Sequence, residues 1–220
     1  MPLELDWGVE GEVFTVTGAE FRSNSTKFFG YPYEHEKMKG LRDLFKNITT
    51  LHAYRLNGGG TKASNTYATA KWGGVRGNDI KIVIRQNVDD ETLFDVITYI
   101  DTIPVDSQPV RAASELVYND YVTFKTGASL TATAGTPLSG GTNGTVDASA
   151  HQTYMDKIES YSFNVLGVDT TEDSIKEFYV NFCKRLRDDM GVKFQVVLYG
   201  KAADYEGVIN VKNKILDSAW

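Results

Sequence analysis

Ala68-Thr69-Ala70-Lys71-Trp72-Gly73-Gly74-Val75-Arg76-Gly77-Asn78-Asp79-Ile80-Lys81-Ile82-Val83-Ile84 is the stretch that decides how the rest of the chain reads. Small residues lead in, Gly, Asn and Asp make a turn, and β-branched residues then alternate as in a strand. Around it, from Ala63 to Thr133, the β character persists. Tyr67 to Trp72, Ile80 to Gln86, Leu93 to Ile103 and Tyr121 to Ala132 are strand-like and are parted by Gly, Asn, Asp and Pro. Asp95 to Asp101 alternates only in part, and Val110 to Tyr118 keeps a weak helical alternative. The region predicts a compact, mostly antiparallel β module.

Outside that module the periodicity changes. Leu3 and Leu5 fall on one face of a short strand, and Val13 to Val16 form a second. Gly30, Tyr31 and Pro32 mark a loop. Glu34 to Lys46 places Met38, Leu41, Leu44 and Phe45 at helical spacing, with Asn47 positioned to cap the C-terminus. Ile48 to Leu56 is apolar on both parities: Ile48, His52, Tyr54 and Leu56 on one, Leu51 and Ala53 on the other. That suits a strand covered on both faces. Gly58-Gly59-Gly60 breaks it.

Residues 135–145 are dominated by Gly, Thr, Ser, Asn and Pro and predict a flexible connector. Asp147 is placed to cap a helix from Ala148 to Tyr161, with Met155, Ile158 and Tyr161 inward. Phe163 to Val168 predicts a short strand. Thr170 and Asp173 have capping-box spacing ahead of a helix with Ile175, Phe178, Phe182 and Leu186 on one stripe, stopped by Gly191. Val192 to Tyr199 reads as an interior strand of a parallel sheet, and Val208 to Val211 as another. The expected fold class is α/β plus β. A mixed α/β domain in two chain segments, 1–57 and 136–220, carries an inserted, mostly antiparallel β module over 58–135.

Composition narrows the function. The 220 residues are 41% hydrophobic and 12% aromatic, enough for a real core and against disorder. The net charge is −6 and no Lys/Arg run forms a stripe, which argues against a nucleic-acid-binding face. The single cysteine, Cys183, rules out an intrachain disulfide and sits in a helical pattern beside Phe182, as a buried inert thiol does. The N-terminus lacks the basic and apolar regions of a signal peptide, and no apolar run reaches membrane-spanning length.

The motifs that hint at chemistry each fail on spacing. Gly58-Gly59-Gly60-Thr61-Lys62 has the residue types of a phosphate loop, but Ala63 and a β pattern follow, with no helix N-terminus to receive a phosphate. Gly140-Gly141-Thr142-Asn143-Gly144 precedes a helix, yet it lacks Lys and the dinucleotide glycine spacing. His35, His52 and His151 are far apart in sequence. His52 is expected half-buried in its strand, and His35 and His151 are expected to face solvent near helix starts. No Gly-x-Ser-x-Gly is present.

Other candidates read as ordinary structure. Asp188, Asp189 and Asp89 to Glu91 flank loops and read as solvated caps. Asn24, Asn47 and Asn143 match the short glycosylation pattern without a secretion signal beside it. Phe28, Phe29, Tyr31 and Tyr33 cluster in a loop, either flanking the core or forming a binding surface. No catalytic residue, cofactor site or metal site is expected.

The chain resembles the contractile phage tail sheath proteins of the defective-prophage and R-type bacteriocin kind. The resemblance rests on Leu3-Glu4-Leu5-Asp6-Trp7-Gly8, on Ala53-Tyr54-Arg55-Leu56 followed by Gly58-Gly59, and on Ala70 to Ile84. It continues through Leu138-Ser139-Gly140-Gly141-Thr142-Asn143-Gly144, Val196-Val197-Leu198-Tyr199 and Gly207-Val208-Ile209, in that order. It implies a structural subunit of a sheath that surrounds a tail tube and contracts to drive it through a cell envelope.

The implied partners are further copies in a helical or ring sheath, tail tube proteins and baseplate proteins, with no nucleic acid and no membrane insertion. The implied location is a virion or bacteriocin particle assembled in the bacterial cytoplasm. Similar proteins carry an N-terminal arm and a C-terminal domain beyond the matching region, so this chain is expected to be a fragment and monomeric. Charges at Lys184, Arg185, Arg187, Asp188 and Asp189 are candidates for pairing between subunits. The rival readings are an α/β ligand-binding module or enzyme with a site near 140–147, and another phage tail or baseplate protein.

Overall fold

The computed structural model of the chain describes residues 1–213. The first segment supplies β1 (Pro2–Leu3), β2 (Val13–Thr17), α1 (Gly18–Phe29), α2 (Lys39–Leu44) and β3 (Thr50–Arg55). The sheet order is β1-β3-β2, with β1 parallel and β2 antiparallel to β3. β3 is buried on both faces, as its two-parity pattern predicts. Leu51 and Ala53 enter one core, and Tyr54 and Leu56 another.

Helix α1 was not anticipated, and its start is locally encoded. Thr17 and Glu20 form a reciprocal capping box: Glu20 N donates to the Thr17 hydroxyl, and Thr17 N to the Glu20 carboxylate. Gly30, at φ 82°, ends the helix and returns its N–H to Thr26 O. Phe28 and Phe29 therefore lie on a helix and not in a loop. Phe21 and Phe29 meet edge to face at 5.6 Å, and Phe21 stacks on Phe45 at 4.9 Å. The amphipathic stretch after the loop is shorter than its periodicity suggests. A 3₁₀ turn at Glu36–Met38 runs into the six-residue α2, and beyond it Asn47 N donates to Leu44 O at 3.0 Å and its side-chain amide reaches Asp43 O at 3.5 Å, closing the last turn.

The β module holds β4 (Ala68–Ala70), β5 (Ile80–Gln86), β6 (Phe94–Ile100), β7 (Ile103–Val110), β8 (Val122–Phe124) and β9 (Thr133–Pro137). Every named strand pair in it is antiparallel: β4 with β8, and the order β7-β6-β5-β9. The expected Leu93-to-Ile103 strand is split by a tight turn at Asp101, a non-glycine residue at φ 55°. Val110 to Tyr118 is not helical apart from a 3₁₀ turn at Ala113–Glu115. Most of Tyr121 to Ala132 is irregular. The strand that completes the four-stranded sheet, β9, begins just after it and runs into the stretch expected to be a flexible connector.

The last segment forms α3 (Ala148–Ile158), β10 (Val165–Gly167), α4 (Asp173–Asp188), β11 (Gln195–Tyr199) and β12 (Val208–Val211). The order is β10-β11-β12, all parallel, with β11 central. Asp147 caps α3 as expected, its carboxylate accepting from Ala150 N at 2.9 Å. Helix α4 starts at Asp173 with Glu172 at its cap and no side-chain capping bond, so the predicted box at Thr170 does not form. Its buried stripe is Ile175, Tyr179, Phe182, Cys183 and Leu186. Phe178, one position off that stripe, is exposed. Gly191, at φ 71°, follows the helix, and Val192 N closes onto Leu186 O.

The cores tie the two outer segments together. Val13, Tyr54 and Leu56 share one core with α3, α4, β10 and β11. The β module has its own core, built on Ile80, Ile82, Ile84, Val96 and Val122 and joined by Trp7 from the first segment.

Candidate functional site: the junction of the modules

The chain passes from the α/β part to the β module at Asn57 to Thr61 and returns at Gly141 to Gly144. The two passages lie side by side. Thr61 and Thr142 exchange hydrogen bonds at 3.1 Å each, and Gly144 N donates to Asn57 O at 3.1 Å. Contact is so close that a methyl group on Gly60 would stand 1.9 Å from Thr142 O, and one on Gly144 would stand 1.9 Å from Gly58 O. The return passage is therefore packed and anchored, not a flexible tether. Three of its N–H groups, which an anion would need, are spent internally: those of Thr142 and Gly144, and that of Gly141, which donates to Asn78 Oδ1 at 2.8 Å.

Arg55 sits at the centre with its side chain fully buried. Its guanidinium donates to Gly73 O at 2.7 Å, to Asn57 Oδ1 at 3.3 Å and to Asn143 Oδ1 at 3.4 Å, and it lies 3.5 Å from Glu10. Glu10 in turn accepts from Gly73 N at 2.6 Å and Gly59 N at 3.1 Å. A buried guanidinium is tolerable only when its donors and charge are met in this way.

Asn143 donates to Asp6 at 2.9 Å, and its oxygen accepts from Val75 N at 3.1 Å. Both ends of its amide are engaged, against the glycosylation reading. Burial alone would raise the Asp6 carboxyl. Hydrogen bonds from Lys37, Asn143 and Tyr31 outweigh that and hold its pKa at about 2.

A second arginine, Arg76, staples the other side. Its Nε donates to Gly30 O at 2.7 Å, its guanidinium pairs with Asp101 at 2.6 Å and Asp79 at 2.8 Å, and it lies 4.5 Å from the centre of the Tyr31 ring. Trp7 supplies the apolar bolt, almost completely buried in the β module's core. Sequence reasoning singled out neither arginine. The available signal was a charge inside the apolar run Leu51 to Leu56, and a second within the Gly-Val-Arg-Gly turn.

The residues weighed from sequence are scattered. His52 is half-buried, with its Nδ1 2.9 Å from the Thr15 hydroxyl, and His35 is exposed against Tyr31. His151 is buried and not facing solvent, its Nδ1 2.8 Å from the Tyr179 hydroxyl across α3 and α4. Burial pushes the Cys183 thiol up, away from nucleophile character. Arg185, Arg187 and Asp188 are occupied within the chain, by Glu159 at 2.6 Å, by Glu206, and by the Tyr205 hydroxyl at 2.8 Å. Among the described residues, no group of three or more His, Cys, Asp or Glu side chains is arranged to hold a metal ion.

Two interlocked units, one an antiparallel β module and the other an α/β unit of two segments, define the class of protein. Residues 58–143 match the phage tail sheath protein beta-sandwich domain, and residues 144–220 the phage tail sheath protein central domain. The chain belongs to the phage tail sheath protein family. It is 36% identical to the phage-like element PBSX protein XkdK of Bacillus subtilis (strain 168), over 98% of this chain and 51% of that protein. Among solved structures, it superposes on the sheath tail protein from Desulfitobacterium hafniense with a TM-score of 0.88 at 43% identity, covering 96% of this chain and 51% of that one. For the sheath tail protein from Listeria innocua the TM-score is 0.82 at 35% identity, covering 96% and 49%. The chain spans about half the length of these relatives.

Proposed function

We propose that this chain is the two-module body of a sheath subunit that packs with further copies around a tail tube and contracts to drive the tube through an envelope. The reading assigns it no catalysis. The division into 1–57, 58–135 and 136–220 is part of the proposal, as are tube and baseplate partners and residence in a phage-like or bacteriocin particle assembled in the cytoplasm.

The observation that carries it is the junction. A contracting tube needs subunits that keep their shape while contacts between them change. Here Arg55, Arg76, Trp7 and the paired glycine passages hold the modules in one orientation, and their polar groups are satisfied by one another. The test is electron microscopy of a full-length protein containing this sequence, produced with its tube protein. Regular tubes of sheath-like width are the expected result. Dispersed monomers that turn over a substrate would overturn it.

A further inference from the structure

Among the described residues, the parallel sheet β10-β11-β12 is covered on one face only. Leu166, Val196 and Leu198 point into the core under α3 and α4. The loop between β11 and β12 also packs on that side: Cys183 Sγ lies 3.4 Å from Gly207 O, and Tyr205 donates to Asp188. The opposite face is open and, apart from Gln195, apolar. In register, Gly167, Val197 and Ile209 form one row, and Tyr199 and Val211 the next. Val165, Tyr199, Ile209 and Val211 remain 55%, 44%, 40% and 38% exposed. Parallel sheets are normally buried on both faces, so this surface is built to be covered.

The neighbouring sheet shows what the cover is like. Leu51 and Ala53 of β3 sit under the helical layer formed by α1 and α2. The two sheets meet at Met1: a methyl group on Gly167 would lie 3.9 Å from its sulfur. At that seam a groove of about 430 Å³ opens, lined by the apolar Met1, Leu3, Leu5 and Leu41 and by the charged Glu4, Lys37, Asp43 and Asp169. Helical cover thus stops at α2, a groove follows, and beyond it lie the bare rows of β10 to β12.

We propose that this surface is the seat of an amphipathic helix from the half of the sheath polypeptide that this chain does not span. The helix lays its apolar stripe along the Tyr199, Ile209 and Val211 rows and fills the groove against α2. The relatives are about twice as long while matching this chain almost end to end, so the required polypeptide exists in them. A second copy of this chain is the poorer fit. Five partly exposed side chains fall well short of the roughly 800 Å² per partner that a stable interface buries.

Cysteine reactivity tests this cleanly, because the native Cys183 is buried. Tyr199→Cys and Ile209→Cys are placed singly in the 220-residue chain and at the aligned positions of the full-length Desulfitobacterium hafniense protein, and maleimide labelling is timed in each. Labelling at least about tenfold slower in the long protein is expected, as for a site that opens only by local unfolding. Equal rates would overturn the proposal. So would slow labelling in the short chain together with a dimer in light scattering that Ile209→Lys dissolves, since a second copy would then be the occupant. Hydrogen exchange of the unsubstituted proteins gives the same reading without substitutions. Amides of β12 should be at least about tenfold less protected in the short chain, and equal protection would count against the helix.

Discussion

The junction and the parallel sheet solve opposite problems. At the junction, arginines, carboxylates, an asparagine and backbone groups are buried together and satisfy one another. At β10 to β12, apolar side chains stand half in water with none of the described residues over them. The first region is closed to partners because its bonding capacity is used up inside the chain. The second is open because its burial is incomplete. The charged residues seen in the sequence therefore shape the subunit, whereas the surface left for other polypeptide is aliphatic and aromatic.

The strongest way to break that contrast is Arg55→Ala. It removes the shared donor and leaves Glu10 and Asn143 underused in a buried setting, so a loss of about 3–5 kcal/mol is expected in denaturant unfolding. A loss under about 1 kcal/mol would mean the network is decoration. Next comes Gly144→Ala. Its methyl group collides with Gly58 O, so the two passages must separate. A cost of up to about 3 kcal/mol is expected, together with faster amide exchange at Thr61 and Thr142.

Acid should act on the junction through Asp6. Its folded-state pKa of about 2 is below that of the unfolded chain, so its contribution is complete above about pH 4 and disappears as the pH falls towards 2. The amount is about 2 kcal/mol at most, and less once solvent screening of the half-exposed Lys37 is counted. Unfolding curves of the parent and of Asp6→Asn should therefore converge as the pH drops through that window. A constant gap would remove Asp6 from the account. The smallest effect belongs to the open sheet. Ile209→Ser should change stability by about 0.5 kcal/mol or less, and a larger loss would show that the face is already covered in this chain.

Much of this architecture was legible in the sequence. The antiparallel module followed from β-branched runs between turn residues, and the central parallel strand from Val196 to Leu198 with α4 before it. Local signals were lost where they were short. The Thr17–Glu20 box starts a helix that hydrophobic periodicity does not advertise, because its inward positions, Phe21, Ser25 and Phe29, keep a four-residue spacing but the middle one is polar. Phe178 was assigned inward because a three-residue spacing fits as well as a four-residue one until the neighbouring helix is known. His151 looked solvent-facing from its place in the first turn of α3, but α4 lies over it. The junction was the least legible part. Gly-rich stretches read as flexible when taken singly, and only their mutual contact, 81 residues apart at Thr61 and Thr142, makes them rigid.

The nearness of those two passages has an evolutionary corollary. Because Gly144 N reaches Asn57 O at 3.1 Å, the stretch between them is a cassette whose borders already touch. A short turn could seal the cut, but excision would leave the buried Arg55 without Gly73 O and Trp7 without its apolar surroundings. An insert of another length or sequence must therefore still offer a carbonyl to Arg55 and an apolar socket to Trp7.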